Sequence, residues 1–359
     1  MKKLLLSFVV LTGVLATAQV GINTEEPQAM LDISAKDNQK GDLRIQDVDR
    51  LYGVEWILTW DEKDKKVRKM SIKDIEWEIK NKEKTNYIKS AVENPNEVIE
   101  KIRKCPEDRL VYDKLFGKDN GKYDFVYCAT TVTGKVNDKE YNRTWLNLNL
   151  GAEYANIHSP DFNPTVSETG AAIHDDINFY GSYYQWQRAS DGHEFKNPKT
   201  TPDKAQSWTV TGEAAGKFIT GSYNWAKNGE KASDLELQLW QVGGVNNPCP
   251  SGYHVPTFQE WQQFHQAVTG STSSASTNQM WTQKKLPNLA AAGYRSHNDG
   301  SLRNDRSDGY YRSSSAVTYT QNAIVHFGSE EGVIEVYNHR ADGGSVRCIR
   351  SNEYVGDFG

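Results

Sequence analysis

Four cysteines, one tight histidine–aspartate cluster and one aspartate-rich loop are the places where this 359-residue chain has side chains suited to chemistry. The cysteines are Cys105, Cys128, Cys249 and Cys348. Thiolates either hold a metal or join as disulfides, and spacing tells the two apart. There is no C-x2-C and no His-x3-His, so a metal site lacks its usual frame. Four cysteines allow three pairings. Cys105–Cys128 with Cys249–Cys348 is the one favoured. The second link would close a loop of about a hundred residues and remove roughly 4–5 kcal/mol of unfolded-chain entropy in the simple model.

His174-Asp175-Asp176 has the residue types of a hydrolytic centre. Hydrolysis needs a nucleophile beside a base, or two carboxylates facing one bond. Adjacent residues rarely converge on one atom, so a solvated loop is the expected outcome. G-x-S-x-G, G-x-x-x-x-G-K-[ST] and H-E-x-x-H are absent. The loop HNDGSLRNDRSDG (297–309) carries Asp299, Asp305 and Asp308, and oxygen donors suit Ca2+. The spacing is not that of an EF-hand, and turns collect aspartate for local reasons. Calcium at these three residues is the one cofactor the sequence suggests.

A binding role has more residues behind it. Tyr184, Trp186, Trp225, Tyr310 and Tyr311 stand among Gly, Ser and Asn. Flat aromatic faces stack on sugar rings, and neighbouring amides and carboxylates can hydrogen-bond hydroxyls. The competing use of the same rings is core packing.

These residues depend on the elements that carry them. Thr257-Phe-Gln-Glu260 fits a capping box, with Pro256 before it and Gly270 as a stop. Phe258, Trp261, His265 and Val268 then share one helical face. Cys249 sits on a rigid turn just ahead of that helix, placed to tie it to the last strand through Cys348. DFVYCATTV, AAAGYRS and GSVRCIR read as strands, and AIVHF and VIEVY as a hairpin. Upstream, WILTW and VRKMSI flank the polar DEKDKK as a second hairpin. So short a module needs a partner chain or the main domain to bury Trp56, Ile57 and Trp60. Residues 75–104 read as a helical connector broken at Asn94-Pro95, with its charges as a solvated face.

The first 18 residues run from Lys2-Lys3 through an apolar stretch to Ala16-Thr17-Ala18, the pattern of a cleaved signal peptide. An even cysteine count suits export. The formal charge is −5, and removing the two lysines of that segment leaves −7, with no basic block to attract nucleic acid. No later apolar run approaches membrane-spanning length.

RTWLNLNLG (143–151), YGSYYQW (180–186), CPSGYHVPTFQEW (249–261), AAAGYRS (290–296), GYYRSSS (309–315) and GGSVRCIR (343–350) form an ordered set. This set resembles the Fibrobacter succinogenes major paralogous (FISUMP) domain. Arg312 stands where that family usually has Trp. The family is similar to the C-type-lectin-like and formylglycine-generating-enzyme folds. The resemblance implies a loop-rich α+β domain whose first and last strands meet, and implies little chemistry. The copper-binding cysteine pair of the second fold would need free thiols, whereas Cys249 and Cys348 are expected to be joined. VGINTEEPQAMLDIS with the hairpin after it is similar to leader modules of exported surface proteins, which in fibre-like relatives form trimeric stalks.

The expected organisation is a signal peptide (1–18), a β-rich stalk module (19–80), a helical connector (81–107), a C-type-lectin-like α+β domain (108–351) and a tail (352–359). The expected function is a non-enzymatic surface protein of a Gram-negative bacterium, secreted, periplasmic or on the cell surface. Its partner would be a glycan or a surface protein, with homo-oligomers formed through the N-terminal module. The alternative is a structural subunit of a surface fibre.

Overall fold

A computed structural model describes residues 20–22, 31–33, 53, 55–170, 172–272, 279–317, 321–328 and 332–351. The expected signal segment 1–18 and tail 352–359 lie outside the described residues. The chain divides into two compact units, Met1–Lys73 and Asp74–Gly359.

In the first unit, β1 (Val20–Ile22) pairs in parallel with β2 (Leu31–Ile33). β3 (Trp56–Asp61) and β4 (Lys66–Ser71) make the expected hairpin. The Asp61 carboxylate accepts the Lys63 and Asp64 N–H groups at 3.0 and 3.2 Å, which closes the turn from within. Side chains alternate across a strand, so Trp56, Leu58 and Trp60 share a face, with Val67 opposite Trp60. All four are exposed, by 49, 75, 57 and 57%.

The helices α1 (Ile72–Lys80), α2 (Lys82–Ala91) and α3 (Pro95–Arg103) follow. Pro95 opens α3 at a position where its missing N–H costs nothing. The break expected at Asn94-Pro95 falls between α2 and α3, and the second compact unit begins at Asp74. Ile88, Val98, Ile99 and Ile102 pack with Phe116, Val126, Ile157 and Phe162 in one apolar cluster. The physical reason is spacing. Within α3, Val98 and Ile99 stand four and three residues before Ile102 inside a Glu- and Lys-rich text, so one face is apolar although the composition is not.

β5 (Leu110–Tyr112) and β6 (Val126–Cys128) pair antiparallel, and Cys105–Cys128 fastens the chain leaving α3 to β6. β7 (Thr130–Val136) and β8 (Lys139–Trp145) form a hairpin turned by Asn137 and Asp138, both at positive φ as a two-residue turn requires. Next come the short α4 (Ala172–Asp175), then β9 (Tyr184–Gln185), β10 (Lys199–Thr201), β11 (Lys217–Ile219) and β12 (Tyr253–His254).

α5 (Phe258–Thr269) has both reciprocal bonds of the capping box between Thr257 and Glu260, and Gly270 ends it at φ 76°. Trp261 and His265 are buried as expected, with Phe264 and Ala267 beside them. The helix rests on β7 at Gly134, where a Cβ would meet the Ala267 carbonyl oxygen at 2.3 Å. After α6 (Gln279–Thr282) come β13 (Tyr294–Arg295), β14 (Leu302–Arg303), β15 (Asp308–Ala316), β16 (Gln321–Gly328), β17 (Gly332–His339), β18 (Gly343–Gly344) and β19 (Ile349–Arg350).

Three sheets organise this unit, in the orders β12-β19-β8-β7, β14-β13-β18-β9 and β15-β16-β17. Ile349 of the last strand lies opposite Trp145 of β8. Cys249–Cys348, with Cα atoms 5.9 Å apart, ties the turn before α5 to that closing strand. The result is a loop-rich α+β unit, as the sequence suggests, and both disulfides pair as favoured.

Candidate functional site

Of the five aromatic residues singled out for stacking, four are corrected: Tyr184, Trp186, Trp225 and Tyr311 lie in the core, none more than 3% exposed. Their polar atoms are spent inward. Trp186 Nε1 donates to the Ser313 carbonyl at 2.9 Å, and Trp225 Nε1 to that of Trp186 at 2.7 Å. The Ala290 N–H donates to the Tyr311 hydroxyl at 2.6 Å. The Gly-, Ser- and Asn-rich segments that read as open surroundings fold over these rings.

Tyr310 is different. It is the outward residue of a strand whose next residue, Tyr311, points in. Tyr310 of β15 is the direct cross-strand partner of His326 of β16. Their rings lie 4.6 Å apart, and Tyr294 of β13 approaches Tyr310 from its other side at 5.0 Å. The three rings make a half-buried ladder. Gly293 sets its near edge. At φ +61° it lets β13 come so close to the 303–305 loop that a Cβ would meet the Arg303 carbonyl oxygen at 2.1 Å.

Polar groups rim the ladder. Asn304 Nδ2 donates to the Tyr310 hydroxyl at 3.0 Å, and Asp308 Oδ1 lies 3.0 Å from His326 Nε2. Burial raises the Tyr310 and Tyr294 phenols above their ordinary values, so both stay protonated donors.

In the same loop stand Asp299, Asp305 and Asp308, the residues of the calcium expectation. Asp299 accepts from Ser301 N and Oγ at 3.0 and 2.7 Å and from Arg303 at 3.1 Å. Asp308 serves Ser307 and His326. Among the described residues, these three do not form a group with metal-ligand spacing. Bonds to near neighbours use the oxygens, as turn chemistry favours. His174-Asp175-Asp176 also disperses. The His174 ring packs on Trp281 at 4.5 Å, while Asp176 accepts from Tyr154 and from the Asn178 N–H.

Among the described residues, the cluster that does have ligand spacing is Asp191, His193 and Glu194, which sequence reasoning passed over although it is written as D-G-H-E. Every group in it is already partnered. His193 Nδ1 faces Asp191 Oδ1 at 2.8 Å and Glu194 Oε2 at 3.1 Å. The Gln185 N–H donates to Nε2 at 3.1 Å. Arg188 donates to Asp191 Oδ2 at 2.8 Å, and the Tyr123 hydroxyl to Glu194 Oε1 at 2.8 Å. Burial pushes the Asp191 carboxyl up, but His193 and Arg188 outweigh it and hold it well below the usual carboxylate range. With both ring nitrogens engaged, this is a brace between β9 and the 188–194 turn rather than a ligand set.

Because Cys249 and Cys348 are joined, neither supplies a thiolate. No helix of the described residues is long and apolar enough to cross a membrane. No family model matches this chain, and no curated protein and no solved structure matches it either.

Proposed function

We propose that this chain is an exported, non-enzymatic surface protein whose second unit, FISUMP-like in its motifs and C-type-lectin-like in fold, binds a glycan. The observation that carries the reading is the half-exposed ladder of Tyr294, Tyr310 and His326, rimmed by Asn304 and Asp308. Sugar rings present C–H faces to aromatic rings and hydroxyls to amides and carboxylates, and this surface offers both partners within one patch. Export is supported by the basic, apolar N-terminal segment and by two disulfides. A glycan array probed with the chain from residue 19 tests the reading. The expected result is binding to a defined sugar class that Tyr310→Ala weakens about tenfold, in keeping with the loss of one stacking ring. A blank array, or binding indifferent to Tyr310, would count against it.

One observation favours the second reading, an assembly subunit. The face of Trp56, Leu58, Trp60 and Val67 is exposed on a hairpin of two strands, and such hairpins are marginal alone in water. Homotypic pairing of the first unit would cover it. Light scattering distinguishes the readings, because a defined oligomer lost on Trp60→Glu, together with a blank array, favours assembly.

A further inference from the structure

Three segments of the second unit meet around two histidines. His297 follows β13, His339 is the last residue of β17, and Tyr223 lies on the loop after β11. Their rings are in contact. Tyr223 stacks on His339 at 4.2 Å, His339 meets His297 edge-on at 4.5 Å, and Tyr223 lies 5.2 Å from His297. Asp342 ties the segments together. Its Oδ1 accepts the His297 N–H at 2.7 Å and lies 2.7 Å from His297 Nδ1, and its own N–H donates to the His339 carbonyl at 3.1 Å. The Gly221 N–H donates to the His297 carbonyl at 2.7 Å, and the Ala341 N–H to the Tyr223 carbonyl at 3.0 Å. His297 and Asp342 are buried, His339 is half-buried, and Tyr223 covers them from the solvent side with 55% of its surface exposed.

This knot is incomplete at two atoms. Among the described residues, His297 Nε2 and His339 Nδ1 are buried without a hydrogen-bond partner. A third histidine, cysteine or carboxylate with ligand spacing to both is not found among those residues, so the two nitrogens are not a metal seat. A buried nitrogen without a partner costs most when its ring is charged. The groups that face His339 are the Asp342 carboxylate, the buried Arg312 guanidinium, His297 and Tyr223. Arg340, the next residue, is turned away: it donates to the Gly229 carbonyl at 3.0 Å and lies over the Trp186 ring at 4.7 Å. Burial pushes the His339 imidazole below its ordinary 6.5. Asp342 opposes that, while His297 and Arg312 add to it. A histidine lowered in the fold binds its proton more tightly when released, so stability present above 6.5 is lost as pH falls below it.

We propose that Tyr223, His297, His339 and Asp342 form an acid-opened clasp, and that its opening frees β13 and so dismantles the aromatic ladder. The link to the ladder is short. Arg295 of β13 pairs with Gly343 of β18, the residue after Asp342, and Tyr294 of the same strand is one of the three rings. With His339 protonated, its buried Nδ1–H has no acceptor and its charge stands near Arg312, so the ring gains by turning out to water. That move breaks the stack on Tyr223 and loosens the turn that holds Asp342. The opening stands without the sugar reading, whereas release of a bound sugar in acid rests on it.

Hydrogen exchange of the purified chain at pH 7.5 and 5.5, corrected for the intrinsic rate and read by mass spectrometry, tests this. Protection over 294–300 and 338–343 is expected to fall about fivefold at the lower pH, against a ceiling of about tenfold for one histidine between these values. The β7–β8 hairpin, which contains no histidine, is expected to keep its protection. His339→Phe keeps a ring on Tyr223 and cannot take up a proton, so it is expected to abolish the fall. In the unsubstituted chain, the His339 imidazole should titrate below 6.5 by NMR, a readout that stands even where the variant fails to fold. Unchanged protection at pH 5.5, a fall shared equally by β7–β8, a fall that persists in folded His339→Phe, or a His339 midpoint at or above 6.5 would each overturn the clasp. None of these readouts involves a sugar, so a blank glycan array leaves them intact.

Discussion

Tyr310 and Tyr311 are neighbours on β15 with opposite surroundings. Tyr311 is fully buried, stacked on Phe327 at 5.4 Å, and its hydroxyl is bonded to the Ala290 backbone. Tyr311→Ala is expected to cost about 3–5 kcal/mol in urea unfolding, the usual range for emptying an aromatic core position. Tyr310→Ala should cost about 1 kcal/mol while removing the ring that the sugar reading needs. Arg312, the next residue, is a buried cation held by carbonyl and amide oxygens. It donates to the Tyr184 carbonyl at 3.3 Å, to Asn322 Oδ1 at 2.9 Å and to the Asp342 carbonyl, and burial pushes its guanidinium down to about 10. Arg312→Met strands these acceptors and is expected to cost about 3 kcal/mol by the same measurement. Sequence shows these three side chains as one run, Tyr-Tyr-Arg. Which of them faces outward depends on strand phase, and that phase is set by pairing with β16, a partner that no local pattern names. The same limit hid the ladder, whose rings come from residues 294, 310 and 326.

At the scale of elements, α5 was the most legible part of the chain because its start and stop signals are local. Its cap also carries a pH dependence. Burial pushes the Glu260 carboxyl up, but His254, the Thr257 N–H and Arg143 together bring it down to about 2 from an ordinary 4.5. A carboxyl depressed in the fold contributes stability that is present above its unfolded value. That stability is lost as pH falls through the folded one, here between about 4.5 and 2. The loss should approach ~3 kcal/mol for this mostly buried group. Glu260→Gln is expected to lower stability at neutral pH and to flatten the acid limb of a melting-temperature profile. The contact beneath the helix was not legible. Gly134 sits in a strand run with nothing to mark it, yet it is where β7 meets the Ala267 backbone. Gly134→Ala is expected to cost about 2 kcal/mol, since two backbones and not a flexible side chain must give way. The break between α2 and α3 was legible at Asn94-Pro95, whereas the partners of Ile88, Val98 and Ile102 in the core, Phe116, Val126, Ile157 and Phe162, come from segments that no local pattern names.

At the scale of the whole molecule, the two disulfides differ in what they hold. Cys105–Cys128 spans 23 residues and Cys249–Cys348 spans 99. In the chain-entropy model the first is worth about 3.4 kcal/mol and the second about 4.7 kcal/mol, so the paired serine variants should lose stability in that order. The longer link was legible because its two cysteines stand at a sharply punctuated turn and immediately before the last strand. The seating of the loops between them was not, since it rests on buried donors such as Arg347, which serves the carbonyls of Leu146, Asn147, Pro287 and Asn288. The Cys249–Cys348 bond has one more consequence. A protease that cuts anywhere between the two cysteines yields pieces that still travel together, with the end strand clipped to the rest. Such a nicked molecule would run as a single band until reductant is added, and would keep its α5 platform in the meantime.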